Sequence, residues 1–162
     1  MSYNKQMVVG SSWKIYFKSI QKAKDYVYKL GESIDFTDPN LLEIYTLPDF
    51  ISLGVISTLE RNPKIKIGAQ DMFWEDYGAF TGEVSPLMLK NIGCKYIYIG
   101  HSERRKYFGE NNHTINRKVV ASYRNGLIPI LLVGETIEEY EKGQRDKALK
   151  EQLSISPERH TW

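Results

Sequence analysis

Five short β-rich runs recur about 30 residues apart, and each is followed by a stretch of helical periodicity. The runs are Met7 to Val9, Leu41 to Thr46, Ile65 to Gln70, Tyr96 to Ile99 and Ile128 to Val133. Pro48, Gly100 and Gly134 stop the second, fourth and fifth, and Asn62-Pro63 opens the third. Ser19 to Leu30 sets Ile20, Ala23, Val27 and Leu30 on one face, with Gly31 as its stop. Asp49 is placed to cap a helix from Phe50 to Leu59, and Ser85-Pro86 to open one reaching Asn91. Asn111 or Asn112 caps a helix through Ile115, Val119 and Tyr123, closed by Gly126. Thr136 with Glu139 is a capping box for the last helix, where Glu138–Lys142 and Glu141–Arg145 have ion-pair spacing. Strand and helix alternate throughout, so the class is α/β with a parallel sheet.

Alternation leaves the winding open. A doubly wound sheet is complete with five units, whereas a closed barrel needs eight units and about 250 residues. At 162 residues, length alone favours the doubly wound sheet. Residues 1–151 read as the structured part, and 152–162, with Pro157 and Trp162, as an irregular tail.

Composition removes several functions. Lys plus Arg is 22 against 20 for Asp plus Glu, a balance too even for a nucleic-acid binder. The single cysteine, Cys94, excludes an internal disulfide, and three scattered histidines do not support a metal site. No apolar stretch is long enough to span a membrane, and Met1 to Val9 lacks a signal-peptide core, so a cytoplasmic protein is expected. Glycine-rich phosphate loops and the nucleophile-elbow pattern are missing.

Parallel α/β folds place their sites at the carboxyl ends of strands. After the first strand come Ser11, Ser12, Trp13 and Lys14; Lys14 suits an anion or a developing oxyanion, or is simply a solvated lysine. After the fourth come Gly100, His101, Ser102, Glu103, Arg104 and Arg105. A histidine at a helix start meets the positive end of the dipole, which disfavours its charged form. As a neutral imidazole, His101 is equipped to polarise a carbonyl by donating one N–H. Glu103 has Lys14, Arg104 and Arg105 as candidate partners. The segment Asp71 to Glu83 carries Met72, Phe73, Trp74, Tyr77 and Phe80, which suit either a partner subunit or packing on the chain's own helices.

These residues are similar to those of the triosephosphate isomerase family. Gly68-Ala69-Gln70, Gly78 to Pro86 (GAFTGEVSP), Tyr98 to Arg105 (YIGHSERR), Phe108-Gly109-Glu110, Leu132 to Thr136 and Trp13-Lys14 all resemble its motifs. The resemblance implies a (β/α)₈ barrel, of which this chain holds about five βα units, and it overrides the length argument. It also implies a homodimer that interconverts dihydroxyacetone phosphate and glyceraldehyde 3-phosphate without a cofactor, in glycolysis and gluconeogenesis. Carried over, Lys14 stabilises negative charge, His101 is the neutral electrophile, Ser102 and Glu103 support it, and Ser12 and Lys14 contact substrate. Phe73, Trp74 and Thr81 lie in the loop that docks on the partner. Ser12 stands where the family expects asparagine, Ile15-Tyr16 where it expects Met-Asn, and Leu132 where it expects cysteine. The loop pattern is also similar to relatives that isomerise four-carbon ketose phosphates, so erythrulose-phosphate isomerase is an alternative. The family's glutamate base follows a sixth strand, with a lid and two phosphate loops beyond it. This chain is therefore expected to be a truncated form, inactive alone, or else a non-catalytic or self-associating remnant.

Overall fold

The computed structural model describes residues 6–36, 38 and 40–154. Five strands alternate with seven helices among these residues: β1 (Met7–Ser12), α1 (Ile20–Ser33), β2 (Leu42–Leu47), α2 (Phe50–Ile56), β3 (Ile65–Ala69), α3 (Pro86–Asn91), β4 (Cys94–Ile99), α4 (Ser102–Phe108), α5 (Asn112–Arg124), β5 (Ile128–Leu131), α6 (Ile137–Glu141) and α7 (Arg145–Leu153). The hydrogen-bonded strand order is β1-β2-β3-β4-β5. A doubly wound sheet starts in its middle and reverses direction once, which places its first strand inside the sheet. Here β1 lies at an edge and the order never reverses, so the preference drawn from length is corrected by topology.

The described residues fall into two compact units. The first holds the chain up to Gln70 together with Met88–Ile97. Its ladder runs in parallel from Met7↔Leu42 to Ser12↔Leu47, and from Ile44↔Ile65 to Thr46↔Ile67. Leu47, Leu53, Ile56, Ile65, Ile67 and Val27 are its fully buried side chains of largest volume before β4. Ala23 and Val27 on α1 point into this core, as their four-residue spacing predicts. Met7, Val8 and Val9 are instead exposed, at 63%, 51% and 53%, because β1 has a strand on one side only.

The second unit holds Asp71–Leu87 and the chain from Tyr98 onward. Met72, Ile99, Ile115, Val119, Ala121, Leu127 and Ala148 are buried in it. Leu132 donates its N–H to the Ile99 carbonyl at 2.9 Å, which continues the pairing of β4 and β5 past the strand end.

Several boundaries differ from the sequence reading for local reasons. β1 runs past Val9 to Ser12, since Gly10-Ser11-Ser12 keep pairing through their backbones. α1 passes through Gly31, whose carbonyl accepts the Asn62 amide at 3.0 Å. α2 stops at Ile56, where the Ser57 and Thr58 hydroxyls bond back to the Gly54 and Val55 carbonyls. The last helix divides at Gly143, whose φ of 63° is left-handed, so Glu141 and Arg145 fall on separate helices. Arg145 has its Nε 3.6 Å from Glu135. α7 includes Gln152 and Leu153, the first residues of the expected tail, and Gln152 exchanges two hydrogen bonds with the Gly134 backbone. Residues 155–162, with Pro157, His160 and Trp162, lie outside the described residues.

Gly68 on β3 allows the closest approach in the first unit. A Cβ there would sit 2.1 Å from the Tyr96 carbonyl oxygen and 2.6 Å from Leu47 Cδ2. The obstacle is largely backbone and cannot swing aside. Gly68→Ala is therefore expected to lower stability by about 3 kcal/mol or more, at the upper end of overpacking costs. Urea denaturation of the variant checks this; an unchanged midpoint contradicts the packing described.

Candidate active site

In the first unit the residues after β1 are fixed by both ladder and core. The Trp13 N–H donates to the Leu47 carbonyl at 3.1 Å, one step past the last β1–β2 pair. Its indole is 4% exposed and packs against Phe17 at 4.5 Å and Tyr26 at 5.2 Å between ring centres. A turn closed by Tyr16 N–H to Trp13 O at 3.2 Å then carries Lys14. Lys14 has φ 52°, the one positive φ of a non-glycine residue among those described. Glycine, asparagine or aspartate normally fill such a position, and a lysine held there is strained. The Ser12 hydroxyl is 3.5 Å from the Lys14 N–H, and the Gln70 side-chain amide donates to the Lys14 carbonyl at 2.9 Å.

In the second unit, β4 ends in Gly100, with φ 78°, and His101 caps α4. Its Nδ1 accepts the Glu103 N–H at 3.1 Å. An Nδ1 that accepts carries no proton, so the ring hydrogen of the neutral imidazole sits on Nε2. Ser102 and Glu103 form the first turn, and a Glu103 carboxylate oxygen lies 3.6 Å from Nδ1. The two arginines next in sequence take other partners. Arg105 donates to the Gly100 carbonyl at 3.1 Å and to Asn112 at 2.7 Å, tying the strand end to α5. Beside α4 lies a cavity of about 980 Å³, lined by Ser102, Arg105, Glu110, Glu135 and Gln152 among others.

The aromatic segment is part packed and part open. Phe73 is 8% exposed and stacks on Trp74 and Phe80 at 4.1 and 4.7 Å, while the Arg117 guanidinium covers Trp74 at 4.3 Å. Phe73 N–H to Val84 O, at 2.8 Å, closes the base of the loop. Arg124 and Asn125 hold Asp76 at 2.9 and 2.8 Å. Tyr77 at the tip is 88% exposed, and Thr81 is exposed as well. Packing on the chain's own helix α5 thus accounts for the base of the loop and leaves the tip open.

Two charged groups were not legible from the sequence. Glu43 on β2 accepts from Lys95 at 2.7 Å and from the Tyr96 hydroxyl. Burial works to raise its carboxyl, yet these hydrogen bonds hold it below the ordinary value. The other is a quartet at the root of α4. Lys118, 3% exposed, reaches Asp71 at 2.7 Å and also Glu110, and Arg104 reaches Asp71 at 2.8 Å and also Glu110. Two cations face two carboxylates, contributed by the third loop, α4, the α4–α5 link and α5. Lys118 and Asp71 lie 47 positions apart, and that distance in sequence hides the pairing.

A singly wound α/β chain with charged loops past its strand ends defines the class of βα-barrel proteins. The family model described as Triosephosphate isomerase matches residues 7–161. The triosephosphate isomerase of Dictyoglomus thermophilum is 42% identical over 149 residues, which cover 92% of this chain and 59% of the relative. That of Moorella thermoacetica is 43% identical over 136 residues, 84% of this chain and 53% of the relative. That of Clostridium tetani is 38% identical over 154 residues, 93% and 58% respectively. The chain belongs to the triosephosphate isomerase family, and its five βα units are part of the (β/α)₈ barrel expected from the resemblance. It spans between half and three-fifths of the length of these relatives.

The quartet makes stability depend on pH. Burial pushes the Asp71 carboxyl up from 3.8 to about 6, with the Glu110 charge adding to burial and Lys118 and Arg104 opposing it. Burial also works to raise Glu110, but hydrogen bonds from Lys118 and Arg104 keep it below 4.5. A raised folded-state pKa means that folding is favoured while the proton stays on. The Asp71 contribution is thus fully present below about pH 4 and lost as pH rises through about 6. Glu110 acts in the opposite sense, its contribution present above pH 4.5 and lost as pH falls below that. Between about pH 4.5 and 6.5, the stability of the parent chain relative to Asp71→Asn is expected to fall as pH rises. Thermal melts across that window check the sign, and a rising difference would overturn it.

Proposed function

We propose that this chain carries the Lys14 and His101 portion of a triose-phosphate isomerase acting through an enediolate. The observation that supports this best is the His101 cap: with Nδ1 accepting from Glu103, the hydrogen-bearing nitrogen is Nε2. A neutral imidazole that donates from there polarises the substrate carbonyl and then shuttles the proton between the two enediolate oxygens. The helix N-terminus disfavours the cationic form, the device for which this family is the known example. Lys14 supplies a fixed positive charge for the anionic substrate and the developing oxyanion. Ser12 offers a hydroxyl where the family offers an amide, and Ser102 and Glu103 hold the His101 turn.

Substrate is a phosphorylated ketose of three carbons, in the cytoplasm, as part of glycolysis and gluconeogenesis. The exposed loop tip, with Tyr77, Phe80 and Thr81, serves a homodimer, and Phe73 and Trp74 stiffen it from below. No cofactor takes part. The resemblance puts the carboxylate base after a sixth strand, and the described strands number five. Glu135 follows β5, one unit before the position that the resemblance gives that base. Without a positioned base the α-proton stays in place, so the 162-residue chain alone is expected to isomerise neither triose nor tetrose phosphate above buffer background.

A chimera tests the reading directly. Residues 7–154 of this chain replace the matching part of the Dictyoglomus thermophilum relative. The chimera is expected to interconvert the triose phosphates, and His101→Gln or Lys14→Met to lower kcat/KM by about 10²- to 10⁴-fold. A folded chimera that prefers erythrulose phosphate would replace the substrate class. One in which both substitutions are silent would remove the site assignment.

A further inference from the structure

We propose that Gln70 is a positioning residue that forces the Lys14 backbone into its left-handed conformation and so sets the direction of the Lys14 side chain. The functional meaning of that direction rests on the isomerase reading; the coupling of Gln70 to Lys14 does not. Gln70 Nε2 lies 2.9 Å from the Lys14 carbonyl oxygen and 3.0 Å from that of Leu47. Both partners accept only, so the amide must present its nitrogen, and both of its hydrogens are used. The Leu47 oxygen also takes the Trp13 N–H at 3.1 Å, which brings the end of β2, the start of the turn and the end of β3 to one point.

The backbone at Lys14 cannot relax while these bonds hold. A positive φ on a lysine disfavours that conformer roughly ten-fold or more, so something must over-determine it. Trp13 is locked by burial and by its ladder bond, and Tyr16 N–H closes the turn. What remains is the peptide after Lys14, whose carbonyl direction depends on ψ of Lys14 itself, and Gln70 is the side chain that grips it. Rotation of Lys14 out of φ 52° swings its Cα–Cβ bond to another heading, and the ammonium four carbons further along moves with it. Gln70 therefore acts through Lys14, without a need to touch a ligand.

The experiment is a two-residue cycle on the chain as it exists, read by urea denaturation and by the backbone scalar coupling and carbon shifts of Lys14. Gln70→Met keeps the length and removes both donors. With Gln70 present, Lys14→Gly is expected to raise the folding equilibrium constant about three-fold, since glycine adopts positive φ without strain. With Met at position 70 that gain is expected to vanish, because the backbone has already relaxed. The Lys14 coupling is expected to report positive φ in the parent and an ordinary negative φ in Gln70→Met. If the Met variant fails to fold, Gln70→Asn, which keeps the amide on a side chain one methylene too short to hold both carbonyls, is read the same way. A positive φ retained in the variant, or an equal effect of Lys14→Gly in both backgrounds, would reduce Gln70 to packing and overturn the proposal. Neither readout needs turnover, so failure of the isomerase assignment leaves the result intact and identifiable.

Discussion

Parallel pairing leaves the last carbonyl of one strand facing the first loop residue of its neighbour, and the β1–β2 ladder makes use of this. Leu47 O receives Trp13 N–H after the final register pair, so the loop after β1 begins with the ladder still running. Burial of the Trp13 ring then fixes the turn, and the turn fixes Lys14. A shift of register by one residue would send Leu47, Ile65 and Ile67 out of the core. The apolar core thus secures the register, and the register secures the lysine.

The second unit reaches the same end by electrostatics. His101 stands at the start of a seven-residue helix that has no fully buried side chain of its own. A helix so short and so little buried is marginal in water. Arg104 anchors it to Asp71 and Glu110, with Lys118 neutralising both acids, and Gly109 ends it with a left-handed φ of 69°. Burial of these charges is unfavourable on its own, and breaking one partner of such a group strands the others. The quartet is better read as fixing the placement of α4 than as a source of large stability.

Much of the fold was legible in the sequence because strand and helix have different periods. All five strands and the caps at Asp49, Asn111 and Thr136 lie where pattern and capping chemistry put them. Boundaries were less so, since the ladder continues through Gly10-Ser11-Ser12 where hydrophobic pattern stops, and helix α1 continues through Gly31 where composition suggests a stop. Lys14, His101 and the aromatic loop were legible as strand-end residues. The grip of Gln70 on Lys14 was not, because the two lie 56 positions apart and only strand pairing brings them together. The quartet was hidden for the same reason, Asp71 and Lys118 being 47 positions apart.

By itself the sequence determined the class of the chain and its family. Alternating periods require α/β, and runs such as GHSERR and GAFTGE are specific enough to name a lineage. Winding was decided only in three dimensions: length favoured a doubly wound sheet, and the unreversed order of strands excluded it. Tertiary structure also decided the strained lysine and the charge quartet. Each depends on hydrogen bonds or ion pairs whose geometry local pattern does not fix. Local preference is written in neighbouring residues, whereas these contacts exist only after the backbone has been paired and packed.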